Sequence, residues 1–402
     1  MALLLGLTAC QEKLDTVSDG NNLSAVYMYA NTASVNFAKA SKGGNTKVDI
    51  RLSNLQSRDV AVTIAVTDFF PEFNKKNNTN YKVLPISEYK LYEIDNPQNS
   101  STNGTLNLTI KAGKAVAQIG VEVKALNENT YPIGVKYAIP LRIVSASLPV
   151  LSNKDIIVNL SRPFKTSVVE IKQGNNFMVQ LDPEIPTAEE FTIQGHFMFL
   201  NWKTIEYPWN QSLINFRGGP GSNWWYTRVN HDSFQVKDLD SDGDATLIKQ
   251  EVKLNTWYQI SYVYKDNNLK VYINGNLAKT FVRPNLSFVK GQGGAITVGN
   301  EGNSSSRDYR IREVRVWNKA LSDSEIKDNL YLPVDPNTEG LLVYLPINKK
   351  DGFKELTKYN NTVKFGKNGK PAAQSTLKET DLTVEWTENV KFPAEGLLIE
   401  ED

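Results

Sequence analysis

The sequence predicts an all-β protein built from two β-sandwiches. Apolar residues recur at every second position in run after run, and turn residues separate the runs. The pair Asn274-Gly275 between two alternating stretches is the strongest short-range hairpin signal, because both positions tolerate positive φ. A chain of 402 residues has room for two or three domains of roughly 100 to 200 residues, each with a core of its own.

The first sandwich is expected over 25–162. Val48, Ile50 and Leu52 alternate, as do Val60, Val62, Ile64 and Val66, then Leu106, Leu108 and Ile110, then Ile119, Val121 and Val123, then Ile139, Leu141 and Ile143. Such spacing puts alternate side chains into one core. Pro140 lies inside the last run and predicts an edge strand, since proline donates nothing to the ladder. The polar stretch 74–80, NKKNNTN, predicts an exposed loop tip. Residues 163–190 carry Pro163, Pro183 and Pro186 around Val168-Val169-Glu170-Ile171 and are expected to be a linker with a lead-in strand.

The second sandwich is expected over 191–395. It opens with Phe191, Ile193 and Phe197 in alternation. Thr256 to Tyr264 and Leu269 to Leu277 form consecutive strands around a polar turn at 265–268. Ile311 and Val314 stand three apart, which breaks strict alternation and predicts a bulge near Glu313. Ser322 with Glu325 is a capping box and predicts one short helix over 323–330.

Composition narrows the function. Lys and Arg total 45 against 44 Asp and Glu, and no stretch collects a basic stripe, so nucleic acid is not expected as a partner. No strand carries the alternating acidic pair that a retaining glycosidase needs, with carboxyls about 5 Å apart. His196 and His231 are isolated, so no nucleophile–base pair is visible and no enzyme is expected. Asp238, Asp240, Asp242 and Gly243 half-match a calcium loop, the one cofactor the sequence suggests. Its twelfth position is Lys249 in place of a bidentate Glu, and the same run fits a solvated hairpin tip.

Aromatic residues are the richer signal. Residues 201–228 hold Trp202, Tyr207, Trp209, Trp224, Trp225 and Tyr226, with Arg228 at the end. If 224–228 is a strand, Trp224 and Trp225 must point to opposite faces, so one of them leaves the core. An indole beside polar neighbours offers sugars a flat apolar face for their C–H groups and partners for their hydroxyls. Trp202, Trp209, Trp224, Trp225, Tyr226 and Arg228 are therefore the candidate ligand residues, and replacing both Trp224 and Trp225 is expected to abolish binding. Loop or core packing of the same rings is the competing reading.

At the N-terminus, 1–24 comprise a short apolar run, Cys10 and a polar leash. Leu7-Thr8-Ala9-Cys10 resembles the lipobox of bacterial lipoproteins, and the acidic residues of Gln11-Glu12-Lys13-Leu14-Asp15 resemble the tether of Bacteroidota lipoproteins on the outer face of the outer membrane. The resemblance implies cleavage before Cys10, its lipidation, and attachment to the outer membrane through lipid only. As Cys10 is the sole cysteine, its acylation would leave none for a disulfide or a thiolate metal site.

The first sandwich, placed behind a lipobox, resembles the Ig-like domain of unknown function that precedes glycosidase or lectin-like domains in surface lipoproteins of gut Bacteroidota. The hairpins around Trp257 and Asn274-Gly275, with the stretch Arg310 to Ser322, resemble laminin-G-like, concanavalin-type jelly rolls. What these resemblances imply is a cell-surface lipoprotein that binds polysaccharide or oligosaccharide, alongside partner proteins of a glycan-uptake system. A protein-binding adhesion module and a glycosidase of the concanavalin-like fold are the alternatives, since fold does not fix function.

Overall fold

Alternation along these segments becomes strands whose inward side chains share two separate cores. The fold was obtained as a computed structural model, which describes residues 24–39, 42–77, 79–202, 211–238, 243–299, 308–367 and 370–392. Cys10, Trp209, Asp240 and Asp242 lie outside the described residues.

Residues 26–161 build an eleven-stranded sheet. Its path runs Asn96–Ser101, Tyr89–Glu93, Val116–Val123, Gly43–Leu52, Thr32–Lys39, Asp155–Ser161, Tyr137–Ala146, Val60–Val66 and Thr105–Ile110. The two end strands meet, because Asn99 Nδ2 donates to the Asn107 carbonyl at 2.7 Å. The sheet thus folds over one core that includes Val35, Phe37, Ile50, Ile64, Ile119 and Leu141.

Two expectations change here. Pro140 is not on an edge strand: Tyr137–Ala146 has neighbours on both sides. The proline is tolerated because it stands where one neighbour hands over to the next, between Lys82–Val83 and the end of Val60–Val66, so no ladder partner needs its missing N–H. The stretch expected as a loop tip belongs in large part to the helix Phe70–Asn77. Apolar contacts override the polar tail: Phe70 stacks on Tyr81 at 5.3 Å and shares a cluster with Ala138 and Ile157 of the sheet. Asn74 then ties down the following turn, donating to the Tyr81 carbonyl at 2.9 Å and accepting from the Thr79 hydroxyl at 2.8 Å.

Residues 164–392 form two facing sheets. One runs Asn276–Val282, Asn268–Ile273, Trp257–Lys265, Phe191–Phe199, Tyr309–Trp317, Phe164–Ile171 and Val384–Phe392. The other runs Leu247–Lys249, Ser233–Lys237, Trp224–Val229, Ile214–Arg217, Ala295–Val298, Asn175–Gln180 and Thr362–Lys367. The interval expected as a linker with one lead-in strand therefore supplies a strand to each sheet, Phe164–Ile171 and Asn175–Gln180. Its prolines misled because they sit outside the two strands, at 163, 183 and 186.

The bulge and the hairpin stand as expected. Gln194 pairs with Arg315 and His196 with Arg312, so Gly195 faces both Glu313 and Val314, and Glu313 takes φ +55°. Asn274 and Gly275 have φ of +50° and +78°, the two positive values a tight hairpin requires. Ser322 and Glu325 cap the helix Asp323–Asp328 reciprocally. Leu321 and Ile326 pack that segment onto Trp317, Tyr272 and Leu341 on the outer side of the first of these sheets.

A charged network lies buried beneath this cover. Glu313 accepts from Arg312 at 2.9 Å, from Arg315 at 2.6 Å and from the Tyr344 hydroxyl at 3.0 Å. Arg312 also donates to the Tyr331 carbonyl, and Arg315 to that of Leu332. These bonds hold the covering segment at its polar seam, where a lone charge would be costly.

His196 Nδ1 stands 3.4 Å from Arg312 Nη1, and because a guanidinium only donates, Nδ1 is the acceptor. Burial, with Arg312 and Arg315 beside it, holds the imidazole well below its usual range. The unfolded chain takes up a proton near pH ~6.5 that the folded chain refuses, so stability falls as pH drops below that value. The contribution is at most ~1.4 kcal/mol per pH unit for one group. We expect urea midpoints measured at pH 7 and pH 5 to differ less for His196→Gln than for the parent chain. Equal differences would show that His196 is not the group titrating.

Candidate saccharide-binding face

The strand Trp224–Val229 alternates strictly. Trp225, Thr227 and Val229 are buried, whereas Trp224, Tyr226 and Arg228 are half-buried on the opposite, outward face. Trp225 is fully enclosed, stacked on Phe216 at 5.9 Å and tilted against Tyr262 at 4.7 Å. It is a core residue and cannot touch a ligand.

The outward face is a platform. The rings of Trp224 and Tyr226 lie 5.8 Å apart and 20° from parallel. The Arg228 guanidinium sits over the Tyr226 ring at 4.8 Å and reaches its hydroxyl at 3.4 Å. Across the ladder Trp224 pairs with Arg217, Tyr226 with Lys237 and Arg228 with Gln235. An apolar surface bordered by cations results, while the Gln235 amide is buried and donates to the Thr246 hydroxyl at 3.0 Å.

Beside Trp224 opens a cleft of about 460 Å³, lined by Arg217, Gly218, Gly219, Ser222 and Trp224. Its rim is a turn pinned to a neighbouring loop. Asn223 donates to the Pro284 carbonyl at 2.9 Å, and the Ser222 hydroxyl accepts from the Ser287 N–H at 3.2 Å. A Cβ on Gly218 would stand 2.0 Å from the Ser287 carbonyl, so only glycine allows this approach. Sequence reasoning passed over Arg217 and Ser222; the run 218–223, GGPGSN, is the signal that could have found them, since such turns bring backbone close to a neighbour.

The other candidates separate from this face. Trp202 stacks on Phe199 at 5.4 Å and packs against the core. Asp238 pairs with Arg283 at 3.0 Å, and Arg283 in turn donates to the Val236 carbonyl, which makes this carboxylate a counter-ion to a mostly buried guanidinium. Among the described residues no group of three or more His, Cys, Asp or Glu could hold a metal ion.

Residues 178–327 match the laminin G family model described as the Concanavalin A-like lectin/glucanases superfamily. The second sandwich is a concanavalin A-like jelly roll. Residues 20–150 match a second family model, that of an N-terminal domain, which lies ahead of the jelly roll. Among solved structures, a candidate carbohydrate binding protein from Bacteroides ovatus is similar over 86% of this chain and 99% of its own, at 20% identity and a TM-score of 0.45. A heptameric SAP-like pentraxin from Limulus polyphemus is similar over 50% of this chain and 95% of its own, at 13% identity and a TM-score of 0.34. The binding domain of botulinum neurotoxin serotype G covers 45% of this chain and 49% of its own, at 14% identity and a TM-score of 0.32. No curated protein matches the sequence.

Proposed function

We propose that this protein is a non-catalytic surface lipoprotein that captures polysaccharide or oligosaccharide on the Trp224 face of its concanavalin A-like jelly roll. The observation that carries the reading is the outward Trp224–Tyr226 stack beside a cleft lined by Arg217 and Ser222. Aromatic faces meet the C–H side of a pyranose, and guanidinium and hydroxyl groups meet its oxygen atoms. In this reading Cys10, acylated and held in the outer membrane, anchors the chain, while the first sandwich sets the jelly roll away from the lipid. Proteins of a glycan-uptake system would receive the captured chain.

A screen of plant, fungal and host glycans, with and without calcium, tests the binding. Retention of one glycan class by the folded protein supports it, and a blank from folded protein removes it. Anchoring is tested separately: Cys10→Ser is expected to move the protein from the membrane to the soluble fraction and to abolish labelling by a fatty-acid analogue. Unchanged labelling would place any acyl group elsewhere.

A further inference from the structure

A groove of about 800 Å³ lies away from Trp224, between the two sandwiches. Its floor is apolar, formed by the buried Trp317, Leu321 and Val334 of the jelly roll. Asn80, Lys82 and Lys136 stand on the wall of the first sandwich, and Asn318, Asn329 and Thr338 on the other.

Several polar groups here are already engaged. Asn74 serves its own turn, Asn337 donates to Asp335 at 3.2 Å, and Lys319 pairs with Glu325 at 2.8 Å. The carboxamides of Asn80, Asn318 and Asn329 have no side-chain hydrogen bond among the described residues. Gly340, at φ +82°, makes room for Asn318, since a Cβ there would stand 2.7 Å from its Oδ1.

We propose that this groove is a second saccharide site, distinct from the Trp224 face and completed only by both sandwiches. A carboxamide offers a donor and an acceptor side by side, the pattern of two neighbouring hydroxyls. Lys75, Lys82 and Lys136 on one wall oppose Asp335 and Glu339 on the other, an excess of one positive charge spread over both walls, so an uncharged sugar suits the groove better than a phosphate or a uronate, which would meet the carboxylates. The volume falls within the ~300–1,000 Å³ of small-ligand sites. A chain seated there touches both sandwiches.

The test is hydrogen–deuterium exchange on the full chain with hexasaccharides of β-1,4-mannan, β-1,3-glucan and α-1,4-glucan. We expect protection at 79–82 and 334–340 that persists in Trp224→Ala. In Asn80→Ala/Asn329→Ala the affinity at those segments should fall at least tenfold, and the near-isosteric Asn80→Asp/Asn329→Asp guards against misfolding. Protection confined to 217–228 overturns the groove site and leaves the Trp224 reading standing. No protection by any of the three overturns the groove site while the wider glycan screen still decides the Trp224 face.

Discussion

Replacing Trp225 with alanine is expected to cost about 3–5 kcal/mol of stability, the usual range for truncating a buried tryptophan. The indole is 0% exposed and fills the space between Phe216 on the adjacent strand and Tyr262 on the facing sheet. Neither ring can follow it into the cavity, since each belongs to its own hydrogen-bonded ladder. Scanning calorimetry should show the jelly-roll transition lowered by on the order of 10 °C. Trp225→Phe should recover part of the loss, because the indole N–H is buried without a partner among the described residues and leaves no bond to break. An unchanged melting temperature in Trp225→Ala would mean that this ring does not support the core.

The neighbouring substitution should do the reverse. Trp224→Ala removes a half-buried ring whose stacking partner, Tyr226, lies on the same outward face. Its effect on stability is expected to stay near ±0.5 kcal/mol, as for other surface changes. Affinity for whichever glycan the screen identifies should fall at least tenfold, equivalent to ~1.4 kcal/mol or more. Titration calorimetry on parent and variant, with matched melting curves, measures this. Binding unchanged in a folded Trp224→Ala would move the ligand off this face. The double replacement of Trp224 and Trp225 is a poor test, because loss of Trp225 alone unsettles the sheet that carries the site.

Much of this was legible in the residues themselves. Side-chain alternation is a local property of an extended chain, so the runs at 48–52, 60–66 and 119–123 announced strands without reference to anything distant. Asn274-Gly275 and the Ser322–Glu325 box were equally local, being set by φ preference and by hydrogen bonds within one turn. The same alternation required Trp224 and Trp225 to face opposite ways.

What alternation leaves open is which face becomes the inside, and only the opposing sheet decides that. Phe216 and Tyr262 lie 9 and 37 residues from Trp225 in sequence, and their packing selected it over Trp224 as the core residue. Strand neighbours are likewise decided at a distance: Pro140 is accommodated because one neighbour ends beside it and another begins. Helix Phe70–Asn77 exists where a polar stretch suggested a loop, because Tyr81, Ala138 and Ile157 supply its buried face. The cleft at Arg217 and the groove above Trp317 need segments more than 60 residues apart to meet. Most strands, turns and caps follow from neighbouring residues, because their energies are local. The tertiary structure alone decided sides, neighbours and cavities, because burial is a property of surfaces brought together.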